Sequence, residues 1–419
     1  MEKHIINEII KDTEKLVNIP SVKAPPEPGM PFGKEIAEAL ACTLNMAGNM
    51  GFETKNYDNF IGECSWGNGE KTFGILCHLD VMPAPGFKNA FSARVENGRL
   101  TGRGVLDDKC PTAAVLHILK KLKDEGILPR HKIKVIFGCD EESGWGCIEH
   151  YKKVCGKIAD FGIAPDAEFP VINAEKGILH FDIIFPFNSS RITEIYGGNR
   201  YNAVPDSAGA AVNGEKIETA GISAHASTPE KGENAVIKLT EKLLLYDEGG
   251  VLKFISDIQS DGSGLNVKLS DEKSGNLTLN AAKINYLNHK LTLGCDIRYP
   301  VTFEKDFILK KIKGSLPAGS EIRVISHQPP LFIDKNSGLV KTLLSAYNKC
   351  TGKNEQSIAI GGGTYARALT YGAAFGPVTN NGSAHTDHEY MTLEEIEFMC
   401  DVYYEALKNI ITKPFREIL

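Results

Sequence analysis

The 419-residue sequence lacks the features that mark several protein classes. It has no apolar stretch that approaches the roughly 18 residues needed to span a membrane. It has no long run of Lys or Arg, and its formal net charge is −6, which argues against a nucleic-acid partner. The amino terminus shows no signal-peptide core or cleavage site. We therefore expect a cytoplasmic protein, with no membrane or nucleic-acid partner, that acts on small molecules or other proteins.

The ten cysteines are scattered, and no two of them form a Cys-x-x-Cys pair. Several lie inside apolar runs, as Cys77 does in FGILCHLD, where a free thiol behaves as a small buried hydrophobic group. Because disulfides are rare in the cytoplasm, this scatter predicts reduced thiols rather than a disulfide framework.

The first part of the chain, to about residue 175, alternates between short apolar runs and segments of helical periodicity. The runs TFGILCHLD, KIKVIFGCD and FGIAPD are interleaved with predicted helices, which include roughly 33–48 and 112–125. This alternation is typical of βαβ units, in which parallel strands form a sheet with helices on its faces.

The pattern changes after about Gly177. The runs ILHFDIIF and LNVKLS predict strands, and NLTLNAAKINYLNHKLTLGCDIRYP predicts a hairpin that turns near Asn288 and His289. Helices are predicted over roughly 233–246 and 303–313. From about Ser337 the α/β pattern returns, and its last helix starts with a capping box, Thr392 with Glu395. The sequence therefore predicts an α/β protein that carries an inserted α+β domain.

A histidine and an aspartate, His78 and Asp80, stand two residues apart at the end of an apolar run. Residues i and i+2 of a strand point to the same face, so the imidazole and the carboxylate are neighbours. A carboxylate in this position can orient a metal-bound imidazole through its second ring nitrogen. The alternative interpretation is that His78 and Asp80 are a buried pair with a purely structural role.

Acidic clusters follow other elements of the predicted sheet. Asp107 and Asp108 precede a helix, where their charges could instead serve the helix dipole. Asp140, Glu141 and Glu142 follow the run KIKVIFGC, and Asp166 follows FGIA. The alternative interpretation of the three consecutive acids is a charged surface loop. Ligands in an open α/β sheet bind at the carboxyl ends of the strands, and His with carboxylate ligands suits divalent cations such as Zn²⁺ and Mn²⁺.

Ten ordered motifs across nearly the whole chain resemble one metallopeptidase family. They are MPFGKEIAEAL, HLDVMPAPG, GRGVLDDK, DEESGW, PDAEFPVINAEKG, NAVPDSA, GISAHAS, DIRYP, GGGTYAR and HTDHE. The family is the di-zinc metallopeptidases that include aminoacylase, carboxypeptidase G and succinyl-diaminopimelate desuccinylase. The motifs are most similar to its PepV-type dipeptidase branch, the Xaa-His or beta-Ala-His dipeptidases.

The resemblance implies a zinc-peptidase-like, mostly parallel sheet flanked by helices, with an inserted α+β lid. The implied metal-binding catalytic domain is discontinuous, 1–178 and 335–419, and the lid or substrate-binding domain is 179–334. Two divalent metal ions are implied as cofactors, Zn²⁺ first, with Mn²⁺ or Co²⁺ as alternatives.

The resemblance also implies roles for the acidic and histidine residues. His78 and Asp166 would bind one metal, Glu142 and His385 the other, and Asp107 would bridge the two. Glu141 would be the general base and Asp80 the carboxylate that orients His78. His388 is the alternative to His385, which is preferred because the related motif places its Glu four residues after the ligand. A cis peptide bond between Asp107 and Asp108 is implied as well.

Substrate contacts are implied for the inserted domain and the glycine-rich stretch. His225 would stabilise the oxyanion of the reacting carbonyl, and Arg298 would bind the carboxylate at the C-terminus of the substrate. Asn202, Gly362 and Thr364 would add amide, backbone and hydroxyl contacts. Cys110 stands where the family usually has glycine, and we interpret it as a packing residue.

The predicted function is hydrolysis of free dipeptides by a metal-dependent dipeptidase, with a small-molecule dipeptide as its partner. One alternative is a related amide hydrolase: an N-acyl amino acid deacylase, a desuccinylase or a tripeptidase. The other is a non-catalytic binding protein derived from such an enzyme. A monomer would suffice if the lid supplies His225 from the same chain.

Overall fold

The computed structural model describes residues 1–247, 249–379 and 381–419. The chain divides into two compact units. The first unit comprises Met1–Asn173, Ile333–Ile358 and Thr364–Leu419, and the second comprises Ala174–Phe332 with Ala359–Gly363. The second unit therefore includes the five-residue segment Ala359–Gly363 from the glycine-rich stretch. The prediction places this segment in the catalytic domain instead.

The helices have the following bounds: α1 (Lys3–Val17), α2 (Lys34–Asn49), α3 (Cys110–Asp124), α4 (Gly146–Cys155), α5 (Ala235–Lys242), α6 (Val251–Ser256), α7 (Lys305–Ser315), α8 (Gly338–Thr351) and α9 (Leu393–Thr412). The predicted capping box at the start of α9 is confirmed, since Thr392 and Glu395 each bond the other's backbone N–H.

The strands, in chain order, are β1 (Glu53–Tyr57), β2 (Ile61–Trp66), β3 (Thr72–His78), β4 (Arg94–Glu96), β5 (Arg99–Thr101), β6 (Lys132–Gly138), β7 (Phe161–Ala164), β8 (Ala167–Glu168), β9 (Ile172–Glu175), β10 (Gly177–Pro186), β11 (Ile192–Gly197), β12 (Ser207–Val212), β13 (Glu215–Ala220), β14 (Ser270–Asp271), β15 (Gly275–Asn276), β16 (Thr278–Leu287), β17 (Lys290–Tyr299), β18 (Glu321–Gln328), β19 (Leu331–Phe332), β20 (Ile358–Ile360), β21 (Gly372–Ala374), β22 (Pro377–Val378) and β23 (Tyr390–Thr392).

The first unit is built on a sheet with the strand order β1-β2-β6-β3-β7-β21-β9. The central strands β6, β3, β7 and β21 are parallel, whereas β1, β2 and β9 pair antiparallel with their neighbours. Helices α2 and α4 pack against β2, and α3 packs against β3. The predicted α/β fold with a parallel centre is confirmed, and the antiparallel strands on either side of this centre make the sheet mixed.

The second unit contains an antiparallel sheet with the strand order β13-β12-β11-β16-β17-β10-β18. Strands β16 and β17 form the predicted hairpin, in which Leu287 pairs with Lys290. Asn288 and His289 make its turn with φ values of 51° and 59°. This left-handed conformation at both turn residues suits a two-residue hairpin loop. Helices α5, α6 and α7 contribute Leu239, Ile255 and Ile308 to the apolar core of this unit.

The strand prediction for LNVKLS is wrong. Leu265 and Val267 are buried, but Asn266 has a φ of 57°, and β14 begins only at Ser270. The alternation of apolar and polar residues arises because a loop inserts two apolar side chains into the core of the second unit.

All ten cysteines are free thiols, as the sequence predicts. Across residues 1–247, 249–379 and 381–419, no helix combines the length and the apolar character that crossing a membrane requires.

Candidate active site

The ends of adjacent parallel strands position most of the candidate residues. His78 is the last residue of β3, Glu141 and Glu142 follow β6, and Asp166 follows β7. In the sheet register His78 lies opposite Gly138, the last residue of β6. Because parallel strands end at one edge of the sheet, their C-terminal residues converge there. All of these residues belong to the first unit.

One group of donor atoms contains His78, Asp107 and Asp166, whose ligand atoms lie within 4.8 Å of one another. His78 Nε2 lies 2.7 Å from Asp107 Oδ1 and 3.7 Å from Asp166 Oδ2. The imidazole of His78 is fully buried. Its Nε2 atom therefore faces two carboxylates in a buried setting.

A second group contains Asp107, Glu142 and His385, again within 4.8 Å. His385 Nε2 lies 2.9 Å from Asp107 Oδ2 and 3.1 Å from Glu142 Oε1. His388 is exposed and belongs to neither group. The carboxylate of Asp107 thus faces both histidines, with one oxygen toward each.

The contact of Asp80 differs from the predicted one. His78 Nδ1 lies 2.9 Å from the backbone carbonyl of Asp80, whereas the Asp80 carboxylate oxygen is 3.7 Å away. The carboxylate instead accepts hydrogen bonds from the backbone N–H groups of Glu141 and Glu142, both at 3.0 Å. Two backbone donors draw it toward the 141–142 loop, so Asp80 orients His78 through its carbonyl and holds the two glutamates through its side chain.

Asp108 adds a buried carboxylate behind His78. Its Oδ2 accepts the backbone N–H of His78 at 3.1 Å, and its Oδ1 has no hydrogen-bond partner among the residues that the structure describes. The peptide bond between Asp107 and Asp108 is cis, as the resemblance implies.

The electrostatics of the site reflect several half-buried carboxylates that lie close together. Burial, and then the charge of Asp166, raise the pKa of Glu141 well above its usual range. Burial and the charge of Asp107 likewise raise the pKa of Asp166 and of Glu142. Negative charge is concentrated here beyond what the two histidines balance, and divalent cations would compensate it.

The donor set fits two divalent cations. It offers imidazole nitrogens and carboxylate oxygens, with one carboxylate common to both groups, which is a usual arrangement for a two-metal site. Cys110 is not part of either group; burial raises the pKa of its thiol to about 12, which agrees with a packing role.

The second unit fixes Arg298 firmly. Its Nε and one terminal nitrogen donate to the two oxygens of Asp296 at 2.7 and 2.8 Å, and the other terminal nitrogen donates to the carbonyl of Gly361 at 2.8 Å. Asp296 is fully buried and Arg298 is 3% exposed. In the part of the chain that the structure describes, these bonds use three of the five guanidinium N–H groups.

His225 is exposed in the second unit and is oriented by Ser227. The backbone N–H of Ser227 donates to His225 Nδ1 at 3.2 Å, and the Ser227 hydroxyl lies 2.6 Å from the same nitrogen. A nitrogen that accepts from a backbone N–H carries no proton, so the proton of the neutral imidazole is on Nε2. A Cβ atom on Gly361 would lie 2.7 Å from the Ser227 Cβ, which places the His225 loop beside the segment that Arg298 holds.

The other predicted substrate residues are divided between the two units. Asn202 is exposed in the second unit, where its carbonyl accepts the N–H of Ala226. Gly362 is half-buried in the same unit. Thr364 is buried in the first unit, and its hydroxyl accepts the N–H of Ala366.

Sequence reasoning missed the partners that hold these groups in place. Asp296, which clamps Arg298, stands two residues before it on the same strand, and this i, i+2 spacing was a usable signal. Glu389, which the sequence marks only through its spacing from His385, is fully buried. Its contacts lie far away in the sequence, so no local pattern reveals them.

A helix-flanked sheet with histidines and carboxylates grouped beside the ends of its parallel strands is typical of a metal-binding α/β protein. Residues 74–409 match peptidase family M20/M25/M40. The chain is 35% identical to a Bacillus subtilis protein named "Putative dipeptidase YtjP", over 96% of this chain and 97% of that one. The chain therefore belongs to peptidase family M20/M25/M40 and is a peptidase.

Solved structures share the fold at low sequence identity. Human carnosine dipeptidase 1 matches with a TM-score of 0.67 and 12% identity, over 98% of each chain. Aminoacylhistidine dipeptidase from Vibrio alginolyticus matches with a TM-score of 0.63 and 13% identity, over 96% of each chain. These likenesses support the fold.

Proposed function

We propose that the protein is a dipeptidase that hydrolyses free dipeptides with two bound divalent cations. One observation carries the proposal: Asp107 is common to two histidine–carboxylate groups, next to a loop that holds Glu141. His78, Asp107 and Asp166 would bind one cation, and Asp107, Glu142 and His385 the other. The dipeptidase name of the B. subtilis relative supports the substrate class.

Bound cations in such a site polarise the scissile carbonyl and lower the pKa of coordinated water. Glu141 is the general base: its carboxylate takes a proton from the attacking water and delivers it to the leaving amine. Its environment favours this role, because burial raises the pKa of the carboxyl and so makes it a stronger base. Asp80 keeps the glutamate loop in place through its bonds to the N–H groups of Glu141 and Glu142.

The second unit would supply the substrate contacts and act as a lid. Arg298 would bind the substrate carboxylate with the N–H groups that Asp296 and Gly361 leave available. His225 would donate from Nε2 to the oxyanion, since its Nδ1 is an acceptor. Asn202, Gly362 and Thr364 would complete the contacts with amide, backbone and hydroxyl groups.

Zn²⁺ is the cation that we propose first, because His and carboxylate ligands suit it; Mn²⁺ and Co²⁺ suit the same donors. Ten free thiols fit a reducing compartment, and we propose that the enzyme works in the cytoplasm as a monomer.

A substrate panel tests the proposal. Purified protein loaded with Zn²⁺ or Mn²⁺ is assayed with free dipeptides, tripeptides and N-acyl amino acids, with and without a chelator. We expect hydrolysis of dipeptides that the chelator abolishes. A preference for tripeptides or N-acyl amino acids would reassign the substrate, and no hydrolysis of any amide would indicate a binding protein.

A further inference from the structure

Glu389 is a completely buried carboxylate, four residues after His385. Its two oxygens accept four N–H groups: Arg103 NH1 at 2.7 Å and the backbone N–H groups of Gly104 at 3.0 Å, Leu106 at 2.8 Å and Asp107 at 3.2 Å. The three backbone donors lie in the segment 104–107, at the start of a π-helical turn that spans Val105–Lys109. We call the segment 104–107 the Asp107 loop. The buried Glu389 carboxylate therefore holds the backbone of this loop through hydrogen bonds.

Arg103 and the backbone tie the same loop to the segment that carries His385. The guanidinium of Arg103 is 1% exposed and also donates to the carbonyl of Thr386 at 3.1 Å. The backbone N–H of Gly102 donates to the carbonyl of Glu389 at 3.2 Å. Two segments more than 280 residues apart in the sequence are thus linked beside the donor groups.

The loop needs a glycine to present its N–H groups in this way. Gly104 has a φ of +88°, and a Cβ atom there would lie 2.7 Å from Val81 Cγ1. A left-handed residue in such a loop turns successive backbone N–H groups toward one side, which creates a concave site for an anion. In this structure the anion is the side chain of Glu389.

We propose that Glu389 is a positioning residue that sets the place of the Asp107 carboxylate relative to His385. This inference rests on the metal groups of the proposed function. Asp107 Oδ2 lies 2.9 Å from His385 Nε2, so a small displacement of the loop changes both donor groups at once. The Arg103–Glu389 ion pair, at 2.7 Å, joins the Asp107 loop to the His385 segment in addition to that contact.

The glutamine variant tests this role because it keeps the shape of the side chain. An amide has one acceptor oxygen, and its NH₂ group would face N–H donors that now meet a carboxylate oxygen. At least one buried donor would lose its acceptor, and the loop would relax. A neutral residue also removes the charge opposite Arg103.

Glu63→Gln is the matched control. Glu63 is a buried carboxylate on β2 in the same unit, bonded to Lys134 at 3.0 Å and to the hydroxyl of Tyr151. Among the residues described, it belongs to neither donor group. Its replacement removes a comparable buried charge without touching the Asp107 loop.

The experiment titrates metal-free protein with Co²⁺ and follows stoichiometry, affinity and the visible spectrum of the bound ion, which reports ligand geometry. We expect two Co²⁺ ions for the unaltered chain. In Glu389→Gln at least one Co²⁺ should bind about tenfold more weakly, with a changed spectrum. In Glu63→Gln both ions should bind as in the unaltered chain, although the melting temperature falls.

Co²⁺ affinity and spectrum in Glu389→Gln that match the unaltered chain would overturn the inference and leave the proposed function intact. Failure of the unaltered chain to bind two Co²⁺ ions would overturn both. If Glu389→Gln does not fold, Arg103→Lys provides the readout, because Lys keeps the charge but lacks the fork that bonds both Glu389 and Thr386. The same weakening is expected there, and unchanged binding would contradict the role of the pair.

Discussion

Asp296 holds Arg298 through two parallel hydrogen bonds of 2.7 and 2.8 Å, in a part of the second unit where both side chains are buried. Such a pair fixes the plane of the guanidinium. The orientation of Arg298 is therefore set before any substrate arrives, and the remaining N–H groups point in a fixed direction.

Arg298→Lys should raise KM for free dipeptides by about 10- to 100-fold, since an ammonium cannot form both bonds to Asp296 or a fork to a carboxylate. The variant should discriminate less between a dipeptide and its C-terminal amide than the unaltered enzyme does. Steady-state kinetics with both substrates checks this. Arg323→Lys is the control, because Arg323 pairs with Asp182 on the same sheet but is largely exposed. An unchanged preference for the free carboxylate in Arg298→Lys would contradict the assignment.

Glu141→Gln should lower kcat by about 10²- to 10⁴-fold, which is the usual contribution of a general base. Metal content should stay at the level of the unaltered enzyme, because Glu141 is outside both donor groups. Metal analysis and kinetics on the same preparation separate the two effects. Glu149→Gln, an exposed position on α4, should have no effect. Full activity in Glu141→Gln would rule out its role as base.

His385→Ala should reduce the number of bound divalent cations from two toward one per chain, because it removes the only imidazole of the second donor group. His388→Ala should retain both, since His388 is exposed and outside the groups. Metal analysis after dialysis against a weak chelator gives the count. Loss of a cation in His388→Ala but not in His385→Ala would show that His388 is the ligand instead.

The environment of Asp12 predicts that this residue makes a pH-dependent contribution to the stability of the first unit. Burial acts to raise its pKa, but hydrogen bonds from His117 at 2.8 Å and Lys15 at 2.7 Å outweigh burial and lower the pKa. Because the folded-state pKa is below the unfolded one, the stabilisation is present above the unfolded value and is lost as pH falls through the folded value. Asp12→Asn should cost about 1 kcal/mol at pH 7, allowing for solvent screening.

Urea unfolding of the metal-free protein, with and without Asp12→Asn, checks this between pH 7 and pH 3. The difference between the two proteins should shrink below about pH 4. Asp124→Asn is the control, because Asp124 is exposed on α3 and pairs only with Lys120 among the described residues. A difference that stays constant over the whole range would contradict the pKa direction of Asp12.

The sequence predicts much of the fold because periodicity and turn chemistry are local signals. The hairpin at Asn288 and His289 and the capping box at Thr392 follow from residues near one another. The strand prediction for LNVKLS is wrong because it also uses only a local signal. Two buried apolar residues give a strand-like alternation whether they lie in a strand or in a loop. Only tertiary packing distinguishes these cases.

For the candidate site, the sequence predicts the donor residues but not the contacts that hold them in place. Strand ends and motifs identify the donor residues, and the structure gathers them into two groups that share Asp107. The contacts that hold them are not visible in the sequence. Asp80 bonds the 141–142 loop, and Glu389 bonds the Asp107 loop across more than 280 residues. Such partners depend on the whole fold, so spacing along the chain does not reveal them.

The most direct test of the account is to measure hydrolysis of a free dipeptide as Zn²⁺ or Mn²⁺ is added back to metal-free protein. We predict that activity is absent without metal and reaches its plateau as two cations bind per chain, and that Asp107→Asn shows no such recovery. Hydrolysis that persists in excess chelator, or no hydrolysis at any metal loading, would contradict a two-metal dipeptidase.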